Sequence, residues 1–451
     1  MSPDRQVTHP RFGSGTVVST RWKGLEVLLQ LSNGIKVWVR SDELISHTDT
    51  ISRATAGTTG PARPETQEGT GPIRDQDLQS RAMIEALRLG IVPHRYVENL
   101  TVGREREIDT FRRWLDGPRI DGAFIIEGQY GSGKTHLLEY LASLALKWNY
   151  AVAKTEFDLF EAPPHKPKRV YQRLLRSFLY PKEGKVGDFR EFMRRIAEHA
   201  PRLLKDHVIL GPFVDQLNSQ ENELLWDWIE GLPAPFQPRL YDHATAANIY
   251  CCLLSGLGTA ASEALDLKGL LLLFDEAETA TFASYPYQLE RGIDFLVGLI
   301  SVAQNDARLL REGIRLEVIS PVQRLYRGIE TRLTYSGFNQ CRYLFRNPSG
   351  LRVVFALTPT ESINAMRTKI GDRMMELEAL PPGAMRELHT QVCAFYSRAY
   401  PEFRLPKEGL QATFQSVFSR THGLRMFIKG SVEALDLLRH YPGRPLGDVL
   451  R

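Results

Sequence analysis

Residues 128–135 read Gly128-Gln129-Tyr130-Gly131-Ser132-Gly133-Lys134-Thr135, which fits G-x-x-x-x-G-K-[ST]. Glycines at these spacings let the backbone turn so that successive N–H groups point inward, a geometry that cradles phosphate oxygens. Lys134 would then reach the β- and γ-phosphates as a point charge, and the Thr135 hydroxyl would ligate Mg²⁺. The flanks suit such a loop. Ala123-Phe124-Ile125-Ile126-Glu127 is a short apolar run that reads as a buried strand, and residues 135–142 have helical spacing. The expected phosphate cradle is Gly128, Gln129, Tyr130, Gly131, Ser132, Gly133, Lys134, Thr135 and His136. ATP and Mg²⁺ are the ligands it implies.

A phosphate loop needs a carboxylate for the metal. Gly269-Leu270-Leu271-Leu272-Leu273-Phe274-Asp275-Glu276 offers one. Its apolar run reads as a fully buried parallel strand, with two carboxylates at the C-terminal end, where ligands bind open α/β sheets. Asp275 is the expected Mg²⁺ residue. Glu276 is the expected general base for an attacking water. Adjacent Asp and Glu favour a hydrolysing ATPase over a small-molecule kinase.

Three further segments resemble parts of AAA+ ATPases. The strand Leu351–Leu357 turns polar at Thr358-Pro359-Thr360. In that family the strand beside the metal-binding carboxylates ends in a polar residue near the γ-phosphate, which makes Thr358 the sensor 1 candidate and Thr360 the alternative. Gly423-Leu424-Arg425 at a helix start is similar to sensor 2, whose arginine points back at the γ-phosphate, so Arg425 is that candidate. Leu100-Thr101-Val102-Gly103-Arg104-Glu105 looks like the segment that passes the adenine, which would place Val102 and Gly103 beside the base.

With 451 residues the chain has room for two or three domains. A net charge of +4 is too mild to argue nucleic-acid binding by itself. The four cysteines, Cys251, Cys252, Cys341 and Cys393, lack metal spacing and suggest no disulfide framework. No apolar run approaches ~18 residues and no apolar leader opens the chain. A cytoplasmic protein with no membrane partner is expected.

The expected fold class is α/β: an AAA+ type P-loop NTPase with a parallel sheet and helical lid, preceded by a small all-β SH3-like barrel. Residues 1–48 carry the barrel reading. Strand-like runs flank an Asn33-Gly34 turn, and the opening His9-Pro10-Arg11-Phe12-Gly13 resembles Tudor-like, SH3-like modules that bind proteins. Residues 49–78 are rich in Thr, Gly and Pro and read as a flexible linker. The ATPase core is expected over 79–372, with a helical insertion at about 158–240, and the lid over 373–451. Two basic segments fit no part of the ATP site. One is the proline-stiffened Pro163–Arg169. The other is 306–350, where arginines alternate with Tyr326, Tyr335, Phe338, Tyr343 and Phe345. Solvated loops, a trans arginine finger and nucleic-acid contact are all open readings for them.

Residues ~80–451 resemble the ATP-binding P-loop proteins of BREX phage-resistance islands, in particular the smaller member, BREX ATP-binding protein D. The likeness rests on Leu87–Pro93, Thr101–Glu105, Glu127–His136, Leu273–Thr279 and Gly423–Lys429. It implies antiviral defence, a homo-oligomer, and helicase or other defence-system partners, with direct DNA contact open. Two function classes follow: an ATP-hydrolysing motor or switch, or a slow-turnover nucleotide-gated scaffold of the STAND kind. Glu276 discriminates between them, because a scaffold needs no base.

Overall fold

The computed structural model describes residues 6–9, 13–21, 26–31, 36–40 and 45–46 of the N-terminal unit. Beyond that it describes 75–91, 96–118, 121–219, 222–320, 323–360, 364–405, 407–442, 444 and 446–449. The Asn33-Gly34 turn and positions 49–74 of the expected linker lie outside these residues. The chain divides into two compact units, Met1–Pro72 and Ile73–Arg451.

In the first unit, strands Lys36–Arg40, Glu26–Leu31, Gly13–Arg21, Gln6–His9 and Ile45–Ser46 lie in that spatial order in one sheet. All neighbours are antiparallel. Val7 and Val17 are wholly buried beneath it.

The second unit is built on a five-stranded parallel sheet in the order Met374–Glu376, Ala123–Glu127, Leu351–Leu357, Gly269–Asp275, Tyr150–Glu156. Parallel strands are covered on both faces, which explains why these runs are apolar throughout rather than alternating. The period of two still sorts the side chains. Ile125, Leu272, Phe274, Val353 and Phe355 face one cluster, and Phe124, Ile126, Leu271, Leu273, Val354 and Ala356 face the other. The second face is closed by Glu105–Leu115 and Lys134–Lys147, through Phe111, Leu137 and Leu141.

The first face carries the long stretch between Tyr150–Glu156 and Gly269–Asp275. Helices Pro167–Arg176, Phe189–His199, Leu210–Ser219, Glu223–Ile229 and Ala247–Ala264 fill it. Local signals start two of them: Asp188 accepts from the Glu191 N–H and Asn222 from the Leu225 N–H, each at 2.9 Å. Tyr171, Phe192, Phe213, Trp226 and Trp228 join the same hydrophobic cluster as the sheet, so this segment is part of the core. Ala247–Ala264 is apolar all round and buried along residues 247–261, as such a helix must be.

The lid begins later than residue 373, because Met374–Glu376 hydrogen-bonds as a strand to Ala123–Glu127. Helices Pro382–Ala399, Lys407–Arg420 and Leu424–His440 form a bundle where the lid is expected, and a fourth joins them from far away in sequence. That helix, Asp75–Arg88, starts inside the expected linker and buries Met83, Ile84 and Leu87 against Leu388, Tyr396 and Val432. Arg88 grips the Asp436 carboxylate with Nε at 3.1 Å and Nη2 at 2.8 Å, and the Tyr396 hydroxyl donates to Asp436 at 2.7 Å. Among the described residues no helix is long and apolar enough to cross a membrane.

Two buried histidines set a pH limit on this fold. His207 Nδ1 accepts from the Ile209 and Leu210 N–H groups at 3.1 Å, so Nε2 carries the proton and donates to Cys252 O at 3.0 Å. His389 sits buried between the Ser431 and Thr413 hydroxyls at 3.0 Å. Burial lowers both to about 4. A histidine held below its unfolded value, near 6.5, contributes stability above that value and loses it as pH falls toward 4. Urea midpoints should therefore drop steadily between pH 6.5 and 4.5. A flat or rising midpoint across that window would mean that carboxyls raised by burial, Glu276 first, outweigh these rings.

Candidate functional site

The loop Gly128–Gly133 leaves the end of a fully buried strand and turns into Lys134–Lys147. The turn needs left-handed backbone at Gly131 (φ 83°) and Gly133 (φ 98°). A Cβ at Gly133 would lie 2.9 Å from Leu424 Cδ2, so the lid presses on the loop there. No side chain caps the helix start. Its first-turn N–H groups therefore face the cavity with their donors unspent, which suits an anion.

Lys134 is buried, and its Nζ donates to Gly128 O at 2.8 Å, Gln129 O at 3.4 Å and Thr358 Oγ1 at 3.1 Å. Strand order explains the last contact. Leu351–Leu357 lies between the strand that launches the loop and the strand that ends in Asp275, so Thr358 emerges between them. Thr360 does not share this position, and its hydroxyl is buried without a partner among the described residues.

The Thr135 hydroxyl donates to Asp275 Oδ2 at 2.6 Å, and Asp275 Oδ1 accepts the Glu276 N–H at 3.0 Å. Burial raises the Asp275 carboxyl, while Thr135, the Glu276 N–H and Lys134 pull it down. Phe157, Phe274 and Phe355 stack in a ladder beneath it, with ring centroids 5.1 Å apart in both steps. That ladder fixes the strand end that carries the carboxylates. Glu276 takes a left-handed turn (φ 53°) immediately after the strand. Burial, then Glu278 and Asp275, push its carboxyl up to about 7. Glu278 is itself buried, and its Oε2 has no partner among the described residues.

A cavity of about 350 Å³ opens over Lys134, Thr135, His136 and Glu276. Tyr130 stands at its edge, 83% exposed. The lid supplies Arg425 and Met426, and the Leu424 N–H donates to Gly131 O at 2.9 Å, which ties the lid to the loop. Arg425 is exposed, has no hydrogen bond or ion pair among the described residues, and attracts the Glu156 carboxylate. His136 Nε2 meets Thr101 Oγ1 at 2.8 Å, and burial lowers the ring to about 4.

Val102 and Gly103 stand elsewhere. Val102 is buried in the lid cluster, and Gly103 is backed by Ala384, whose Cβ would lie 2.7 Å from an added Cβ. Neither lines the cavity; Gly90 and the exposed Ile91 do. The reason is the long-range docking of Asp75–Arg88, which carries the chain past the cavity before residue 102.

Arg104 was not singled out in the sequence, yet it is buried and braces the loop. Nη2 donates to Ser132 O and Nη1 to Glu107, each at 2.8 Å. Arg104→Ala leaves both acceptors without this donor, and a loss of ~1–3 kcal/mol is expected. Urea denaturation would show it, together with weaker nucleotide binding. A variant with the native midpoint would mean the brace is redundant.

The oxygen donors Thr135 and Asp275 fit a magnesium ion, which prefers hard oxygen ligands and keeps positions for phosphate and water. Among the described residues no cluster of three acidic, histidine or cysteine side chains could hold a metal unaided.

No curated protein matches the chain. Residues 76–200, which span the helix docked on the lid, Arg104 and the phosphate loop, match the family described as BREX system ATP-binding protein BrxC/D.

Proposed function

We propose that this chain binds ATP with Mg²⁺ and hydrolyses it, as the ATPase of a BREX-like phage-defence system. The carrying observation is one line of contacts across three adjacent strand ends: Thr358 to Lys134 in the loop, and Thr135 to Asp275. In this reading Lys134 and the loop N–H groups hold the phosphates. Thr135 and Asp275 would hold Mg²⁺, which when bound would supply positive charge to offset that of the phosphates. Glu276 takes a proton from the attacking water. Thr358 orients Lys134 and senses the γ-phosphate. Arg425 reaches it from the lid, and Ile91 with Met426 offers apolar surface to the base.

The parallel-sheet unit with its lid acts in this proposal as an AAA+ motor or switch, assembled as a homo-oligomer in the cytoplasm with DNA-processing partners. The five-stranded N-terminal sheet is read as a Tudor-like, SH3-like barrel that binds a partner protein. The bond from Leu424 to Gly131 favours a second reading, in which loop occupancy sets lid position and the chain serves as a nucleotide-gated scaffold.

Titrating ATP into the purified full chain, and measuring phosphate release with Mg²⁺ or EDTA, tests both. Turnover that needs Mg²⁺ supports the motor or switch. Tight binding with negligible turnover, with and without DNA, supports the scaffold. Failure to bind ATP sinks the site assignment.

A further inference from the structure

The two basic segments left unassigned by the ATP site converge in space. His165 and Lys166 come from the proline-stiffened stretch, and Arg324, Tyr326 and Phe338 come from the segment rich in arginine and aromatics. Together they line a second cleft of about 560 Å³. None of its lining residues is acidic. The carboxylates close by are already engaged: Asp294 pairs with Arg291, and Glu290 with Arg327. Arg324 is exposed, and its side chain has no hydrogen bond or ion pair among the described residues. Among the described residues the Lys166 ammonium has one hydrogen bond, to the Asp242 carbonyl at 3.4 Å. Burial first, then the cations Lys166 and Arg169, lower His165 against the pull of Asp242.

The aromatic surface of this cleft is unusually open. Phe338 is 69% exposed, although one face stacks on Tyr241 with centroids 4.7 Å apart at 24°. Tyr287 is 49% exposed and is stacked on Tyr285 at 5.8 Å. Each ring is thus backed by a second ring and offers its free side to the cleft. Flat rings beside cations suit a ligand that alternates flat apolar faces with negative charges. A duplex hides its base faces inside the stack, so rings in a cleft this size match an unpaired strand.

We propose that this cleft binds single-stranded nucleic acid, with bases stacked on Phe338 and Tyr287 and phosphates held by Lys166 and Arg324. The site is separate from the phosphate loop, and the inference does not depend on the ATPase reading.

The test uses the full chain without nucleotide and a fluorescein-labelled 15-mer of thymidylate, followed by anisotropy across salt concentrations. Phe338→Ala and Tyr287→Ala each remove one exposed ring and should weaken binding about 5- to 150-fold. Arg324→Ser should flatten the log–log salt dependence by ~0.7. Crosslinking with a bromouracil-substituted 15-mer should map to peptides holding Phe338 or Tyr287. Lys134→Ala should bind the oligonucleotide as the native chain does, which keeps this outcome apart from that of the ATP site.

No binding, or binding that all three cleft variants leave unchanged, overturns the proposal. So does a duplex 15-mer that binds as tightly as the single strand. Poly-glutamate that displaces the 15-mer as well as unlabelled thymidylate does would mean that the cleft takes acidic peptides instead.

Discussion

Lys134→Ala is expected to lower ATP turnover by at least ~10²–10³-fold, the scale seen when one preorganised charge-stabilising donor is removed. The ammonium group is buried and its three contacts are short-range, two to loop carbonyls and one to Thr358. Its position between the strand ends is therefore set before any phosphate arrives. Alanine removes the charge and also leaves the Gly128 and Gln129 carbonyls without that donor, so ATP binding should weaken together with turnover. Lys134→Arg should rescue little. A planar guanidinium is larger than the ammonium it replaces and cannot take the same three contacts. Phosphate release and ATP-induced thermal shifts, with circular dichroism as the fold check, read both variants. Native turnover in a folded Lys134→Ala protein would end the case for this loop as the phosphate site.

Glu276→Gln should give a chain that binds ATP but turns it over ~10²–10⁴-fold more slowly. The amide is nearly isosteric with the carboxylate. Thr135, Asp275 and Lys134 keep their contacts, because none of those bonds uses the Glu276 side chain. Glu276 enters this network through its backbone N–H, which glutamine retains. Replacing a carboxylate that faces the phosphates also removes like-charge repulsion, so ATP affinity should hold or rise. If subunits assemble around ATP, the variant should accumulate the assembled species in light scattering. Native rates in this protein would shift the base role to Glu278, the buried neighbour with an unpaired oxygen.

What could be read from the sequence was whatever is contiguous. The phosphate loop and the strand that ends in Asp275 each carry their chemistry within eight residues, and the strand rule puts both at one sheet edge. Thr358 was legible because its strand is long and apolar. Met374–Glu376 was not, because three residues carry no period and this one is recognised only by its hydrogen bonds to Ala123–Glu127. Arg104 reads as one more charge on an amphipathic helix start, and only folding reveals that it is buried against Ser132. The packing of Val102 among the C-terminal helices is hidden in the sequence for a related reason. Which residue reaches the cavity depends on where Asp75–Arg88 docks, and its partners lie more than three hundred positions away. The basic loop is only half legible in the sequence. Pro163, Pro164 and Pro167 are buried, so this is a packed corner that displays selected cations.

The docking of Asp75–Arg88 onto the lid also fixes how this unit bears load. Its first helix and its last long one, Leu424–His440, are clasped by Arg88 and Asp436, while the sheet lies wholly between them in the chain. Tension applied at either end is therefore borne first by the lid, and the strands are reached only after that clasp yields. A pull on the helix Asp75–Arg88 would reach Leu424–His440 first, and through the Leu424 N–H the carbonyl of Gly131 in the loop.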